Sequence, residues 1–335
     1  MTEPRPFWSA ERAEELLRRA EAFASERSRD GQQRALLALA LRGLRPQLRE
    51  MDFPPPFMAL PLLVYAAVRG ENKPALPLTV ATTILYLGID ILDDLADGDL
   101  PRHWKGRKES EINLAAVTLI SALPQLALSE LDAPPETIAD LQRILADGLL
   151  TMSAGQQRDL ATAGATRVSA AEVESSVARK SGEELALFAA LASRLAGAST
   201  AAVEAYASMG RSLGTAGQLA SDFHDLFQAR RSSDLANGTR TLPIALHLEN
   251  QSRTGRRAFL ALLDKARRSE SARKAVRKRL LAAGELRRCA IIVELHCRRA
   301  QAALARAGAR EPAQGELAAL IDASSFFPKR QETAP

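Results

Sequence analysis

Apolar residues recur at helical spacing along most of this chain, and no run alternates convincingly with a period of two. Long windows are dominated by Ala, Leu, Arg and Glu, which all favour helix. The pattern predicts helices over about 8–27, 31–50, 57–69, 76–97, 110–130, 135–163, 169–195, 199–230, 241–249, 254–267, 270–283 and 285–307. Their ends carry punctuation. Ser9 precedes Ala-Glu-Arg as an N-cap, Asp132-Ala-Pro-Pro135 breaks one helix and begins another, and Ser169 stands three residues before Glu172 as a capping box. Pro54-Pro55-Pro56 reads as a bend inside one domain. No flexible linker, solenoid period or low-complexity tract is apparent beyond the polar tail Lys329–Pro335. The expected fold class is all-α: a single domain over residues 1–335 with its core at about 55–310.

Composition narrows the class. With 335 residues, 46% hydrophobic and 25% charged, the chain can bury a sizeable core, and general disorder is excluded. The longest charge-free stretches, Phe53–Val68, Pro74–Ile89 and Asn113–Ser129, all contain proline. Each falls short of the ~20 residues a spanning helix needs, so no transmembrane segment is expected. The N-terminus MTEPRPFWSAERAEE lacks a signal layout, so a cytoplasmic protein is expected. Cys289 and Cys297 are lone thiols that exclude a disulfide framework and give no zinc signal. The net charge is +5, and much of the basic excess sits in Arg253–Arg288. With only 4% aromatics there are few stacking platforms, so this stretch reads as a solvated helical face and no nucleic-acid partner is expected.

The informative chemistry lies in Tyr86–Leu100, which holds Asp90, Asp93, Asp94, Asp97 and Asp99. Asp90, Asp93 or Asp94, and Asp97 are spaced to share one helical face. Carboxylates there repel one another and oppose the macrodipole at a helix C-terminus, whereas hard oxygen ligands in such numbers suit Mg²⁺. A second cluster lies in Gly217–Leu226. Asp222 and Asp225 are three apart, and Ser221 and Asp225 four apart. Facing helices of a bundle can hold metal between them. Candidate cations for a phosphate are Arg102, Lys105, Arg107, Lys180 and Arg240. Together these parts suit a site of three Mg²⁺ ions and a diphosphate, with Lys/Arg clamps drawing electron density onto the leaving group.

Five segments, in order, resemble the trans-isoprenyl diphosphate synthase (polyprenyl synthetase) family over most of residues 55–250. Asp93-Asp-Leu-Ala-Asp97 resembles its first aspartate-rich motif, Gly155-Gln-Gln-Arg-Asp159 its GQxxD, and Lys180-Ser-Gly182 its Lys-Thr-Gly. Gly214-Thr-Ala-Gly-Gln218 through Asp225 resembles FQxxDDxxD, and Ser233–Gly238 with Thr241-Leu-Pro243 resembles the stretch that closes it. The resemblance implies an isoprenoid-synthase-type helical bundle with a central cavity, usually a homodimer, acting on an allylic prenyl diphosphate. It implies Asp93 and Asp97 as Mg²⁺ ligands supported by Asp94, and Asp222, Asp225 and Ser221 on the opposite side. Lys180 and Arg102, with Gln218 and Arg240, would hold the diphosphate.

The chain departs from that pattern where the family binds isopentenyl diphosphate. The segment GGKRxRP falls on Pro55–Pro61, where the Lys and both Arg become Phe57, Met58 and Leu60. The family's His or Gln before the first motif falls at Tyr86, the first Asp of the second motif at Ser221, and the family's Gly-Lys at Gly238-Thr239. A second diphosphate left without cations in a low-dielectric cavity costs several kcal/mol by order of magnitude. The first functional reading is therefore a Mg²⁺-dependent class I enzyme that ionises an allylic diphosphate, as prenyltransferase-like terpene synthases do. The alternative is a polyprenyl diphosphate synthase, or prenyl transfer to a non-isoprenoid acceptor as in ComQ-like prenyltransferases. A third is a non-catalytic partner subunit. Phe57, Tyr86, Gly88 and Ile89 are expected to line the cavity, with Gly88 leaving room for a longer chain. His103, His224, His247 and His296 read as packing or surface residues.

Overall fold

Side-chain caps start the helices where the sequence signalled them. Ser9 accepts from the Arg12 amide, and Asp30, a cap the pattern did not single out, accepts from that of Gln33. Ser169 and Glu172 form a reciprocal capping box. The computed structural model describes residues 7–50, 54–228 and 232–327, so the polar tail falls outside the described residues. Those residues are all-helical, with no strand among them.

Contacts divide the chain into two compact units, with boundaries that fall inside helices rather than in linkers. The first unit comprises residues 1–147, 187–207 and 304–320. It contains α1 (Ala10–Arg27), α2 (Gly31–Arg42), α3 (Leu44–Glu50), α4 (Pro56–Arg69), α5 (Leu76–Asp97), α6 (Glu109–Val117), α7 (Leu123–Ser129) and the start of α8 (Pro135–Thr162). Helix α5 is apolar all round until its last turns, and α1, α4, α6 and α7 pack against it. Buried Leu16, Leu17 and Ala20 on α1 extend the core N-terminal of its predicted start.

The second unit comprises residues 148–186, 208–303 and 321–335. It holds the end of α8, α9 (Ala170–Val177), and parts of α10 (Glu183–Leu195) and α11 (Thr200–Phe227). It also holds α12 (Ser233–Asn237), α13 (Leu242–Glu249), α14 (Arg253–Ala266), α15 (Glu270–Ala282) and most of α16 (Glu285–Ala307). Helix α9 packs on α13, and α14 and α15 form a tight antiparallel-type hairpin.

Three differences from the predicted elements have physical causes. The helix expected at 31–50 breaks at Gly43, where the His103 ring occupies the space of a side chain. Helix α12 went unpredicted because it is barely one turn long. Helix α17 (Ala313–Asp322) follows a proline and a glycine-bearing stretch, although its buried Ala313, Leu317, Leu320 and Ile321 keep a helical period. Two stretches expected to be too short do pass, by length and composition, as able to cross a membrane: Lys73–Asp97 and Glu109–Ser129. The first is 72% buried within the protein over its apolar window, as a core helix is, and the second 44%.

Candidate functional site

In the first unit, α5 carries its aspartates to the point where the helix ends. Gly98 closes the helix in the left-handed region (φ 70°), and the Asp99 amide donates to the Asp94 carbonyl. Asp90, Asp93 and Asp94 are half-buried, and Asp97 is exposed. Burial and then the neighbouring Asp90, Asp93, Asp99 and Asp97 push the Asp94 carboxyl up to about 7. Arg102 lies just beyond, exposed, in the short 3₁₀ turn Arg102–Trp104.

Upstream on the same helix, Tyr86 stacks face to face on Phe57 of α4, with ring centroids 3.8 Å apart and planes 2° from parallel. Met58 and Leu60 are fully buried. The stretch where the resemblance would place cations is thus packed aromatic and aliphatic side chains. Ile89 is half-buried. Gly88 serves a different purpose from the one expected. A Cβ there would lie 2.7 Å from Ile120 and 2.9 Å from Leu119, in a wide i→i+5 turn at Thr118–Ala122. Its small size lets the two helices approach closely.

In the second unit another wide turn, Ala178–Gly182, carries Lys180 and Ser181 between α9 and α10. Glycines bring its neighbours unusually close. A Cβ at Gly155 on α8 would lie 2.8 Å from the Lys180 amide nitrogen, and one at Gly214 on α11 only 2.3 Å from the Ser181 carbonyl oxygen. A Cβ at Gly210 would likewise lie 2.3 Å from the Leu185 carbonyl oxygen. This close approach allows the Ser181 hydroxyl to donate to Gln218 Oε1 (2.9 Å), while Gln218 Nε2 donates to Asp222 (2.7 Å). Burial pushes the Asp222 carboxyl up to about 7. The Gln218 bond and the Lys180 charge work against that rise, and the charges of Asp159 and Asp225 add to it. Asp159 and Ser181 were absent from the predicted site residues. The GQxxD and Lys-Ser-Gly matches were the signals that pointed to them.

Two predicted residues are engaged differently from expectation. Asp225 is taken up by the turn into α12. It accepts from the Ser232 hydroxyl (2.6 Å), from the Ser233 amide and hydroxyl, and from the Asp234 amide (3.3 Å). It acts there as a helix N-terminal anchor. Arg240 is buried, and its guanidinium donates to the carbonyls of Ala165 (2.9 Å) and Gly238 (3.0 Å). It ties the loop after α8 to the loop before α13. Ser221 is exposed. A hollow of about 690 Å³ bounded by Leu150, Arg179 and Arg211 in this unit contains none of the predicted site residues.

Among the described residues, no three His, Cys, Asp or Glu side chains already converge to hold a metal ion. The donor set nevertheless fits divalent cations. Each unit gathers several carboxylates, and in each one carboxyl is driven up by burial among the others. A hard cation relieves that repulsion.

A family model described as "Polyprenyl synthetase" matches residues 58–280. No curated protein matches. Among solved structures, the chain is similar to a geranylgeranyl pyrophosphate synthetase from Pyrococcus horikoshii Ot3 (TM-score 0.76, 21% identity, covering 94% of this chain and 99% of that one). It is also similar to a decaprenyl diphosphate synthase from Rhodobacter capsulatus (0.77, 17%, 94% and 97%). A third is a polyprenyl synthase from Caulobacter crescentus CB15 complexed with calcium and isoprenyl diphosphate (0.76, 20%, 96% and 98%). At these identities the likeness shows the fold, which is the all-α isoprenoid synthase fold.

Proposed function

Because the chain belongs to the polyprenyl synthetase family, whose members process isoprenyl diphosphates, we propose that it transfers an allylic prenyl group to an acceptor and releases diphosphate. The family match and the solved neighbours support this polyprenyl diphosphate synthase reading over the terpene synthase reading that the sequence put first. The observation that carries it is the family match over residues 58–280, which takes in both acidic clusters, Asp90–Asp97 and Asp222–Asp225.

In the reaction the allylic C–O bond breaks, and its electron pair leaves with the diphosphate. The acceptor's double bond then attacks the freed carbon, and the cation this leaves on the acceptor gives up a proton to the released diphosphate, re-forming a double bond. Asp93, Asp94 and Asp97 of the first unit would hold Mg²⁺, as would Asp222 of the second, where the charge of Asp159 also acts. Bound Mg²⁺, three ions in this proposal, would neutralise the diphosphate and so ease its departure. Lys180 in the second unit and Arg102 in the first would each offer a permanent charge to a diphosphate. Gln218, oriented by the Ser181 hydroxyl, holds Asp222 in place. The apolar wall around Phe57 and Tyr86 excludes water from the cation. We further propose a cytoplasmic homodimer. Leu114 (67% exposed), Val117 and Leu126 leave an apolar stripe on the 109–129 helix, which supports a second copy packing there.

One observation favours the terpene synthase reading as a second. Phe57, Met58 and Leu60 fill the place of the isopentenyl-binding cations and are buried. The purified chain, given farnesyl or geranylgeranyl diphosphate and Mg²⁺ with and without isopentenyl diphosphate, separates the two. A longer diphosphate formed only with the co-substrate supports prenyl transfer, and an extractable hydrocarbon or alcohol without it supports the second reading. Silence with every donor, rescued by a partner chain, would favour a non-catalytic subunit.

A further inference from the structure

Residues 253–288 hold thirteen Lys or Arg against three Asp or Glu, a local excess of ten in a chain whose total is +5. The rest of the molecule is therefore net acidic, and its basic charge is concentrated on α14, α15 and the turn into α16. Four of these cations do structural work. Arg256 donates to the Leu248 carbonyl and Arg277 to that of Leu226, Arg273 donates to Ala266 and Arg267, and Arg279 bonds His247 and Gln251. Arg257, Lys265, Arg267, Arg268, Lys274 and Lys278 are exposed, and among the described residues no carboxylate pairs with them.

We infer that this exposed basic face of α14 and α15 docks on a membrane surface, taking the anionic headgroups of its lipids as ligands. The apolar faces of both helices are turned inward, with Phe259, Leu263, Val276 and Leu280 buried, so the outer face is free to meet a plane of charge. A hollow of about 620 Å³ between the end of α14 and the start of α15, lined by Lys265, Arg267, Arg268, Ser269 and Ser271 with one carboxylate, Asp264, has room for a headgroup phosphate beside its three cations. Leu281 on the same hairpin is 51% exposed, one turn from Lys278. Ile291 and Leu295 follow on α16, exposed between Arg287/Arg288 and Arg298/Arg299. Basic residues interspersed with exposed aliphatics suit a lipid interface. Nucleic acid would use aromatic platforms, and the only aromatic residue in 253–288, Phe259, is fully buried.

The test is co-sedimentation of the full chain with vesicles, which needs no turnover and so stands or falls apart from the proposed reaction. The chain binds phosphatidylcholine vesicles that contain phosphatidylserine, does not bind pure phosphatidylcholine, and is released at about 0.5 M salt, where the Debye length shrinks to a few ångströms. The variant K265Q/R268Q/K274Q/K278Q loses more than a hundredfold in vesicle affinity, since each surface cation is worth about fivefold. A variant with the same charge change elsewhere, R18Q/R34Q/R42Q/R306Q, binds like the parent. Equal binding to neutral vesicles, equal loss in both variants, or tighter retention by a short DNA duplex than by anionic vesicles overturns the inference.

Discussion

Gly214 and Gly217 sit three residues apart on α11, and the structure gives opposite expectations for replacing each with alanine. In a helix interior, Gly→Ala by itself contributes about 1 kcal/mol of stability. At Gly217 the nearest atom to a new Cβ is Ser324 Oγ at 3.9 Å, so that gain stands and the urea midpoint rises. At Gly214 the Cβ would lie 2.3 Å from the Ser181 carbonyl oxygen and 3.0 Å from the Gly182 Cα. Both obstacles are backbone, and no side chain can swing aside. Overpacking of this kind costs about 1–3 kcal/mol, and contact this close calls for the upper end, leaving Gly214→Ala about 2 kcal/mol less stable than the parent. The two variants should thus differ by about 3 kcal/mol in urea unfolding. The strained turn is the one that carries Lys180 and Ser181, so Gly214→Ala should also raise KM for the prenyl diphosphate, and Gly217→Ala should leave it unchanged. If Gly214→Ala matched Gly217→Ala in stability, the reasoning that glycines set the approach of α11 to the 178–182 turn would be refuted.

Phe57→Ala removes the ring stacked on Tyr86 and leaves a cavity in the first unit, with an expected loss of about 3–5 kcal/mol read by chemical unfolding. Asp225→Ala removes the carboxylate that the Ser233 and Asp234 amides donate to beside the Ser232 cap and should cost about 1–2 kcal/mol, with Asp225→Asn recovering part of it. The His296 hydrogen bond, with Arg299 nearby, holds the Glu174 carboxyl below its ordinary 4.5. A depressed carboxyl stabilises above the unfolded value and loses that contribution as pH falls through its own. The parent should therefore outlast Glu174→Gln in urea at pH 7, and the gap should close below about pH 4.5. Chelation of divalent ions should abolish diphosphate release, with recovery on adding Mg²⁺, and Asp94→Asn should lower kcat/KM by about a hundredfold or more in a continuous phosphate-release assay.

Much of this molecule was legible in the residues alone, because helix formation is short-range. The 3.6-residue period and the caps at Ser9 and Ser169 act within a turn or two, and they place most helices to within a few residues. The same locality puts Asp90, Asp93 or Asp94, and Asp97 on one face from spacing alone. What side chains meet across the chain could not be read this way. Arg240 is a cation in sequence, but carbonyls at Ala165 and Gly238 claim it. Asp225 has ligand spacing, but α12, too short to foresee, uses it as an anchor. Gly88 looks like spare room until Leu119 and Ile120 fill it. The row from Ser181 through Gln218 to Asp222 exists only because Gly155, Gly182 and Gly214 let three helices come within backbone contact. Residue type sets what a group can do. Its neighbours, brought from far along the chain by close packing, decide which of those things it does.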